Sequence, residues 1–215
     1  MSEIDATISA VICGDGYVTK KGSLCFSHTE KHKGYGEWKK KLLEELGLKF
    51  IKTGWTDRIG VYPGTKPICI WRVSCTQFGK NLRNKFYFDE FKIIPGTIFE
   101  NWKPLQIALL YQDDGRCNKI SHYVTMINGN KVRKDTSPWV NRYEFCKDNW
   151  DEETCINFKK CLNKFGVESW ISKRKGHICI SKKEAKIKFK QIVEDYIHPN
   201  MKYKIELPTC LTVRD

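Results

Sequence analysis

Two short apolar segments, each running into an aspartate followed by a glycine, constrain this chain more than anything else in it. Residues Ile8 to Gly16 read Ile-Ser-Ala-Val-Ile-Cys-Gly-Asp-Gly, and Ile107 to Gly115 read Ile-Ala-Leu-Leu-Tyr-Gln-Asp-Asp-Gly. A helix that is apolar nearly all round has no face to give to water and must be buried. Helices are expected over 6–13 and 105–112, the second opened by Pro104. Small Ser9, Ala10 and Ala108 would let the two backbones approach closely, so that Asp15 and Asp114 emerge side by side. An aspartate just past the last turn faces the negative end of the helix dipole, which costs a few tenths to about 1 kcal/mol. Here that cost is met twice, at matching positions. Gly16 and Gly115 are expected to take the positive φ by which a chain leaves a helix sharply.

Each segment opens a copy of one plan. After Gly16, Tyr17 to His28 reads as a hairpin turning near Gly22. Glu37 to Leu46 reads as an amphipathic helix with Trp38, Leu42, Leu43 and Leu46 on one face, stopped by Gly47. Phe50 to Trp55 and Ile68 to Cys75 alternate like strands, and Gln77 to Phe88 reads as a closing helix. After Gly115 the order restarts. Ile120 to Asn128 is expected to form a hairpin with Val140 to Cys146, and Asp151 to cap a helix over 152–165 stopped by Gly166. Trp170 to Lys173 and His177 to Ser181 read as a strand pair bent at Gly176. Lys182 to Ile197 reads as a helix with Ala185, Phe189, Ile192, Val193 and Tyr196 inward. The two Asp-Gly landmarks lie 99 residues apart (114 minus 15). The expected organisation is therefore two repeats, 1–98 and 99–215, related by a pseudo-twofold axis on which paired features converge.

The formal net charge of +13 draws such a chain to a polyanion, nucleic acid being the usual one. With 40% hydrophobic and 13% aromatic residues, the chain is too apolar to be disordered. Its 10 cysteines form no CxxC pair and no zinc-finger spacing, and most sit in apolar runs such as Ile68-Cys69-Ile70, where a thiol acts as a small hydrophobe. A reducing intracellular compartment is expected, with no membrane span and no secretory leader.

Two carboxylates held together repel one another unless a cation lies between them. Hard Mg²⁺, or Mn²⁺, meets that need through oxygen ligands, binds phosphate oxygens and activates water. Both nonapeptides resemble degenerate copies of the LAGLIDADG motif, and the Pro199-Asn200-Met201-Lys202-Tyr203-Lys204 segment is similar to a C-terminal signature of the same family. The chain thus looks like a single-chain, two-motif LAGLIDADG homing endonuclease of the intron-encoded type. That resemblance implies an α+β fold of two αββαββα repeats, with two four-stranded sheets making a DNA-binding saddle and the motif helices packed at its centre. It implies metal binding by Asp15 and Asp114, the eighth motif residues. Gly14 and Asp113 precede them and are counted with the metal group, Asp113 as a neighbour of the acid. It also places one basic residue by each centre, Lys92 and Lys204, which could stabilise charge on the scissile phosphate.

A two-stranded ribbon fits the major groove, so outward residues of the hairpins are the expected DNA contacts. These are Arg72, Ser74, Ser121, Tyr123, Thr125, Arg142 and Lys173, with Lys131, Arg133 and Lys134 more suited to phosphate. Lys182, Lys186 and Lys190 form a solvated face. The expected function is metal-dependent, site-specific double-strand cleavage of DNA by a monomer, with each repeat reading one half-site. An intron-splicing maturase that binds intron RNA on the same fold is the alternative.

Overall fold

The first apolar segment is a helix, and it is buried. The computed structural model describes residues 3–56, 66–119, 122–127, 130–134, 140–146, 150–172 and 176–206. Helix α1 spans Glu3–Cys13, with Ile8, Ala10, Val11 and Ile12 fully out of solvent. Strands β1 (Tyr17–Val18) and β2 (Leu24–Thr29) follow, joined through Gly22 at φ +86°. Helix α2 spans Lys33–Glu45, then come β3 (Phe50–Thr56), β4 (Ile68–Val73) and α3 (Gln77–Phe86). The four strands form one antiparallel sheet in the order β1-β2-β4-β3. Along β4, Cys69, Trp71 and Val73 point inward, and the Trp71 ring stacks on Phe26 at 5.4 Å.

Two boundaries differ from the sequence reading. Helix α2 begins at Lys33 and not at Glu37, despite Gly34 and Gly36 in its first turns. Propensity argues against those glycines. Packing overrides it, because a Cβ on Gly36 would overlap the Trp71 ring. Tyr87 and Phe88, read as helical, instead form β5 (Tyr87–Phe88), which turns through Asp89 and Glu90 to β6 (Phe91–Lys92). Both turn residues have positive φ, 43° and 70°.

The second half repeats the order. Helix α4 (Pro104–Asp114) leads into β7 (Gly115–Lys119), then β8 (His122–Ile127), β9 (Asn130–Lys134) and β10 (Val140–Phe145). Helix α5 (Glu152–Lys164), β11 (Trp170–Ile171), β12 (Ile178–Ile180) and α6 (Lys183–Val193) complete it. Read as β7-β10-β12-β11, the second sheet matches the first strand for strand. The expected pairing of 120–128 with 140–146 is corrected: β10 pairs with β7, while β8 and β9 form a separate ribbon inserted between them. The sheet position beside β10 goes to the segment that starts at Gly115, and the ribbon pairs only with itself. Asp151 caps α5 as expected, accepting the Thr154 N–H at 2.7 Å, and Gly47 and Gly166 end α2 and α5 at φ +88° and +72°. Tyr196, read as inward, lies in a 3₁₀ turn after α6 and is 39% exposed.

The two sheets flank α1 and α4, which pack on each other at the centre of the saddle. Ser9, Ala10 and Ala108 are buried there, so the small residues sit where the backbones meet. Polar groups in the interface are paired: Gln106 Nε2 donates to Thr7 Oγ1 at 2.9 Å, and Trp102 Nε1 donates to Ser9 Oγ at 3.2 Å. The chain crosses between halves through a 3₁₀ turn, Gly96–Asn101, whose Ile98 and Phe99 are buried; Phe99 lies 5.2 Å from Phe158 of α5. The nine described cysteines are all free thiols, and among the described residues no helix is long and apolar enough to cross a membrane.

Gly36→Ala should destabilise the fold by about 1–3 kcal/mol, the usual range for an overpacked site. Urea unfolding measures it, and an unchanged midpoint would refute the close approach of α2 to β4.

Candidate functional site

The two motif helices end differently. Helix α4 runs through Asp113 and Asp114, whereas α1 stops at Cys13 and Gly14-Asp15 form a turn beyond it. The Asp113 side chain explains the difference. It leaves its own half, passes over Gly14 and ends in the first repeat. Its Oδ1 accepts from Tyr35 Oη at 2.9 Å and Lys39 Nζ at 2.8 Å. Its Oδ2 accepts from Lys39 Nζ at 3.0 Å and from the Asp15 N–H at 3.1 Å. Both side chains of this ion pair are 0% exposed. A Cβ on Gly14 would overlap the Asp113 carboxylate.

Gly16 and Gly115 are needed for space and not for positive φ. Gly115 is extended at φ −81°, ψ 154°, and neither glycine is among those with positive φ. A Cβ on Gly16 would sit 2.5 Å from the Val11 carbonyl oxygen, and one on Gly115 would strike the Tyr111 ring. The chain turns off each helix so tightly that only glycine fits.

Lys92 and Lys204 hold the ends of these helices. Lys92 Nζ donates to the carbonyls of Ile12 at 2.8 Å, Gly16 at 3.0 Å and Gly14 at 3.3 Å. Lys204 Nζ donates to Gln112 at 2.6 Å and Asp113 at 3.0 Å. Each ammonium satisfies carbonyls that the last helical turn leaves open and offsets the negative end of the dipole. This compensation lets an aspartate stand where the dipole alone would disfavour it. Burial lowers the Lys204 pKa, while Asp113, Asp15 and Asp114 pull it back up.

Asp15 keeps 39% of its side-chain surface in solvent, yet its carboxyl is raised from 3.8 to about 7, by burial of its surroundings and then by the charges of Asp113 and Asp114. Burial alone would also raise Asp113, but Lys39 and the hydrogen bonds it accepts hold it below its ordinary value. His28 Nδ1 lies 3.7 Å from Asp15 Oδ2. Burial and then Lys39 push that imidazole from 6.5 down to about 3, so it faces Asp15 as a neutral ring. Asp15, His28 and Asp113 offer ligand atoms within 4.8 Å of one another, and Asp114 is near enough to oppose ionisation of Asp15. Each Asp113 oxygen already accepts two hydrogen bonds, so the part of this group open to a hard divalent cation is the solvent-facing Asp15 carboxylate, with Asp114 nearby.

Of the expected DNA contacts, Arg72 and Ser74 are half-buried at the C-terminal end of β4, and Arg142 is half-buried on β10. Tyr123 and Thr125 lie on β8, and Lys131, Arg133 and Lys134 on β9, with Tyr123 opposite Arg133. Ser121 and Lys173 fall outside the described residues. The sequence reading missed Lys39, Tyr35 and His28. A signal for Lys39 existed: in α2 it stands four residues after Tyr35 and four before Leu43, on the buried stripe. The reading also missed Arg116 and Glu144. Buried Glu144 pairs with both Arg116 and Arg142 on the face of β7 and β10 opposite the core.

The sequence profile of the LAGLIDADG DNA endonuclease family matches residues 8–189. The chain belongs to that family. The structure of the homing endonuclease I-WcaI bound to its DNA recognition sequence is similar at a TM-score of 0.68 and 20% identity, over 95% of this chain and 86% of that one. Full-length DUF199/WhiA from Thermatoga maritima is similar at 0.50 and 13% identity, over 94% of this chain but 59% of that one. At these identities the likeness establishes the fold alone. No significant match was found among curated protein sequences.

At the foot of the LAGLIDADG helices, Asp15 and His28 should act on stability with opposite signs. An acid raised from 3.8 to about 7 on folding costs stability as pH climbs through that window. A histidine lowered from 6.5 to about 3 costs stability as pH falls through its own. In EDTA, the melting temperature of Asp15→Asn relative to the unsubstituted protein should therefore increase from about pH 4 to pH 7. That of His28→Gln should increase as pH falls below about 6.5. Thermal melts across pH decide it, and a reversed trend in either variant would refute the assignment.

Proposed function

We propose that this protein is a site-specific homing endonuclease that cuts both strands of a DNA duplex by metal-dependent phosphodiester hydrolysis. The observation that carries the reading is the convergence of both motif acids at the foot of one helix pair, beneath two matched sheets. Asp15 and Asp114 would hold Mg²⁺ or Mn²⁺, with Gly14 and Asp113 contributing to the surroundings. When bound, such an ion polarises the phosphate and lowers the pKa of the attacking water. The raised Asp15 carboxyl supports this role, because a carboxylate crowded by other negative charge gains most from a cation.

The chain's own residues supply the rest. Lys92 and Lys204, fixed by helix-end carbonyls, place one ammonium beside each acid, where it can stabilise charge building on the phosphate. The two sheets present Arg72, Ser74, Arg116 and Arg142, together with the β8–β9 ribbon, to the grooves. The surplus of 38 Lys and Arg over 25 Asp and Glu favours the phosphate backbone. Two repeats in one chain provide both half-sites, so a monomer suffices. The DNA held by I-WcaI supports a DNA partner here.

The test begins with a recognition sequence, taken from the joined DNA flanks of the gene or selected from a randomised library. With Mg²⁺, the protein should linearise a plasmid carrying it. Asp15→Asn and Asp114→Asn should abolish cleavage while binding persists. Lys92→Met or Lys204→Met should slow cleavage by about 10²–10³-fold. Tight binding without any cleavage in Mg²⁺ or Mn²⁺ would defeat the nuclease reading.

A further inference from the structure

The two centres differ in one device, and that device crosses the pseudo-twofold axis. Helices α2 and α5 are each 13 residues long and stop before Gly47 and Gly166. Lys39 and Phe158 therefore occupy the same helical position, as do Tyr35 and Thr154. Gly14 and Asp113 are matched in the same way within the two motifs. Where the first half receives Asp113 on Lys39 and Tyr35, the second half has Phe158 in place of the lysine, and the residue matched to Asp113 is a glycine. Phe158 is fully buried among Phe99, Phe145 and Trp102, and it can accept no carboxylate.

The asymmetry reaches the acids. Asp114 is the last residue of α4, where the helix fixes its backbone. Asp15 stands beyond the end of α1, and its N–H is held by Asp113 Oδ2. The Asp15 backbone is thus positioned by a side chain from the other repeat, which is positioned in turn by Lys39 and Tyr35. Gly14, the residue matched to Asp113, has no side chain with which to hold the Asp114 N–H in the same way. His28 lies against Asp15 as well, 3.7 Å from its carboxylate.

We infer that the Lys39–Asp113–Tyr35 group is a positioning device that serves the Asp15 centre alone and makes the two DNA strands unequal in their cleavage. The inference rests on the nuclease reading above. Asp113 acts through the Asp15 backbone: its charge is neutralised by Lys39, which leaves Asp15 as the acid open to a cation. Removing only Lys39 would strand a buried carboxylate and unfold part of the population. Replacing both members with apolar groups is better tolerated, because a buried ion pair exchanged for packed side chains is often neutral for stability.

The experiment uses the full-length protein and its recognition duplex, end-labelled on one strand or the other. Single-turnover nicking of each strand is followed in the unsubstituted protein, the Lys39→Met/Asp113→Ala double variant, Tyr35→Phe and His28→Gln. The double variant should slow one strand about tenfold more than the other, the worth of one hydrogen bond to a charged group. Tyr35→Phe removes one bond to Asp113 without unpairing a charge, so it folds even if the double variant does not. It should slow the same strand by a smaller factor. His28→Gln should act on that strand as well. A purely structural role would slow both strands equally or lower the melting temperature without changing the strand ratio, and either result overturns the inference. An unsubstituted protein that binds the duplex but leaves both strands intact counts against the nuclease reading itself, and the inference falls with it.

Discussion

Everything at the centre of this molecule depends on the contact between α1 and α4. Each helix is apolar around its circumference and each needs the other as a lining. Burying one Leu or Ile side chain contributes about 1.5–3 kcal/mol, and Ile8, Val11, Ile12, Ile107, Leu109 and Leu110 are all removed from water. The close approach requires small residues, and Ser9, Ala10 and Ala108 supply them. Once the helices pack in parallel register, the residues that follow them have nowhere to go but together. Convergence of the acids is thus a by-product of core packing, which is why a change deep in the helix pair would be felt at its foot.

That convergence has an electrostatic cost. Two helix C-termini, each with a negative partial charge, meet where the chain also places Asp15, Asp113 and Asp114. The structure answers with three buried or half-buried ammonium groups. Lys92 and Lys204 each take the open carbonyls of one helix, and Lys39 takes Asp113. One acid, Asp15, is left under-compensated, and its carboxyl rises to about 7. With Asp113 and both helix ends held by lysines while Asp15 faces solvent, the arrangement suits a mobile cation. The opening of Asp15 to solvent would give such a cation a route in.

Much of this was legible before any coordinates. The glycine stops at 47 and 166 and the alternation of Cys69, Trp71 and Val73 each report a local rule, and each held. Reading the same plan twice placed the two acids together without a distance. What stayed hidden follows from contacts distant in sequence. Nothing local tells Gly36 that Trp71 will lie over it, so propensity moved the start of α2 by four residues (37 minus 33). The inserted β8–β9 ribbon was hidden for a similar reason, since β7 finds its partner beyond the ribbon. The two motif glycines were assigned to the wrong cause, backbone freedom in place of space. Asp113 was placed beside the acid, but its bond to Lys39, 74 positions away, could not be read from either helix.

Lys39 shows how a duplicated fold departs from symmetry. A lysine on the buried stripe of an amphipathic helix is costly unless a carboxylate meets it in the core; stranding one member of such a pair costs about 3–5 kcal/mol. The first repeat therefore cannot keep Lys39 unless the second supplies Asp113, and Asp113 cannot cross the axis unless position 14 is glycine. Three positions in two repeats are bound into one requirement. The second repeat, with Phe158 at the matched position, fills its core with an aromatic ring. Only the first ties the core to the backbone of a motif acid, so the price of this divergence is that the two halves can no longer be exchanged.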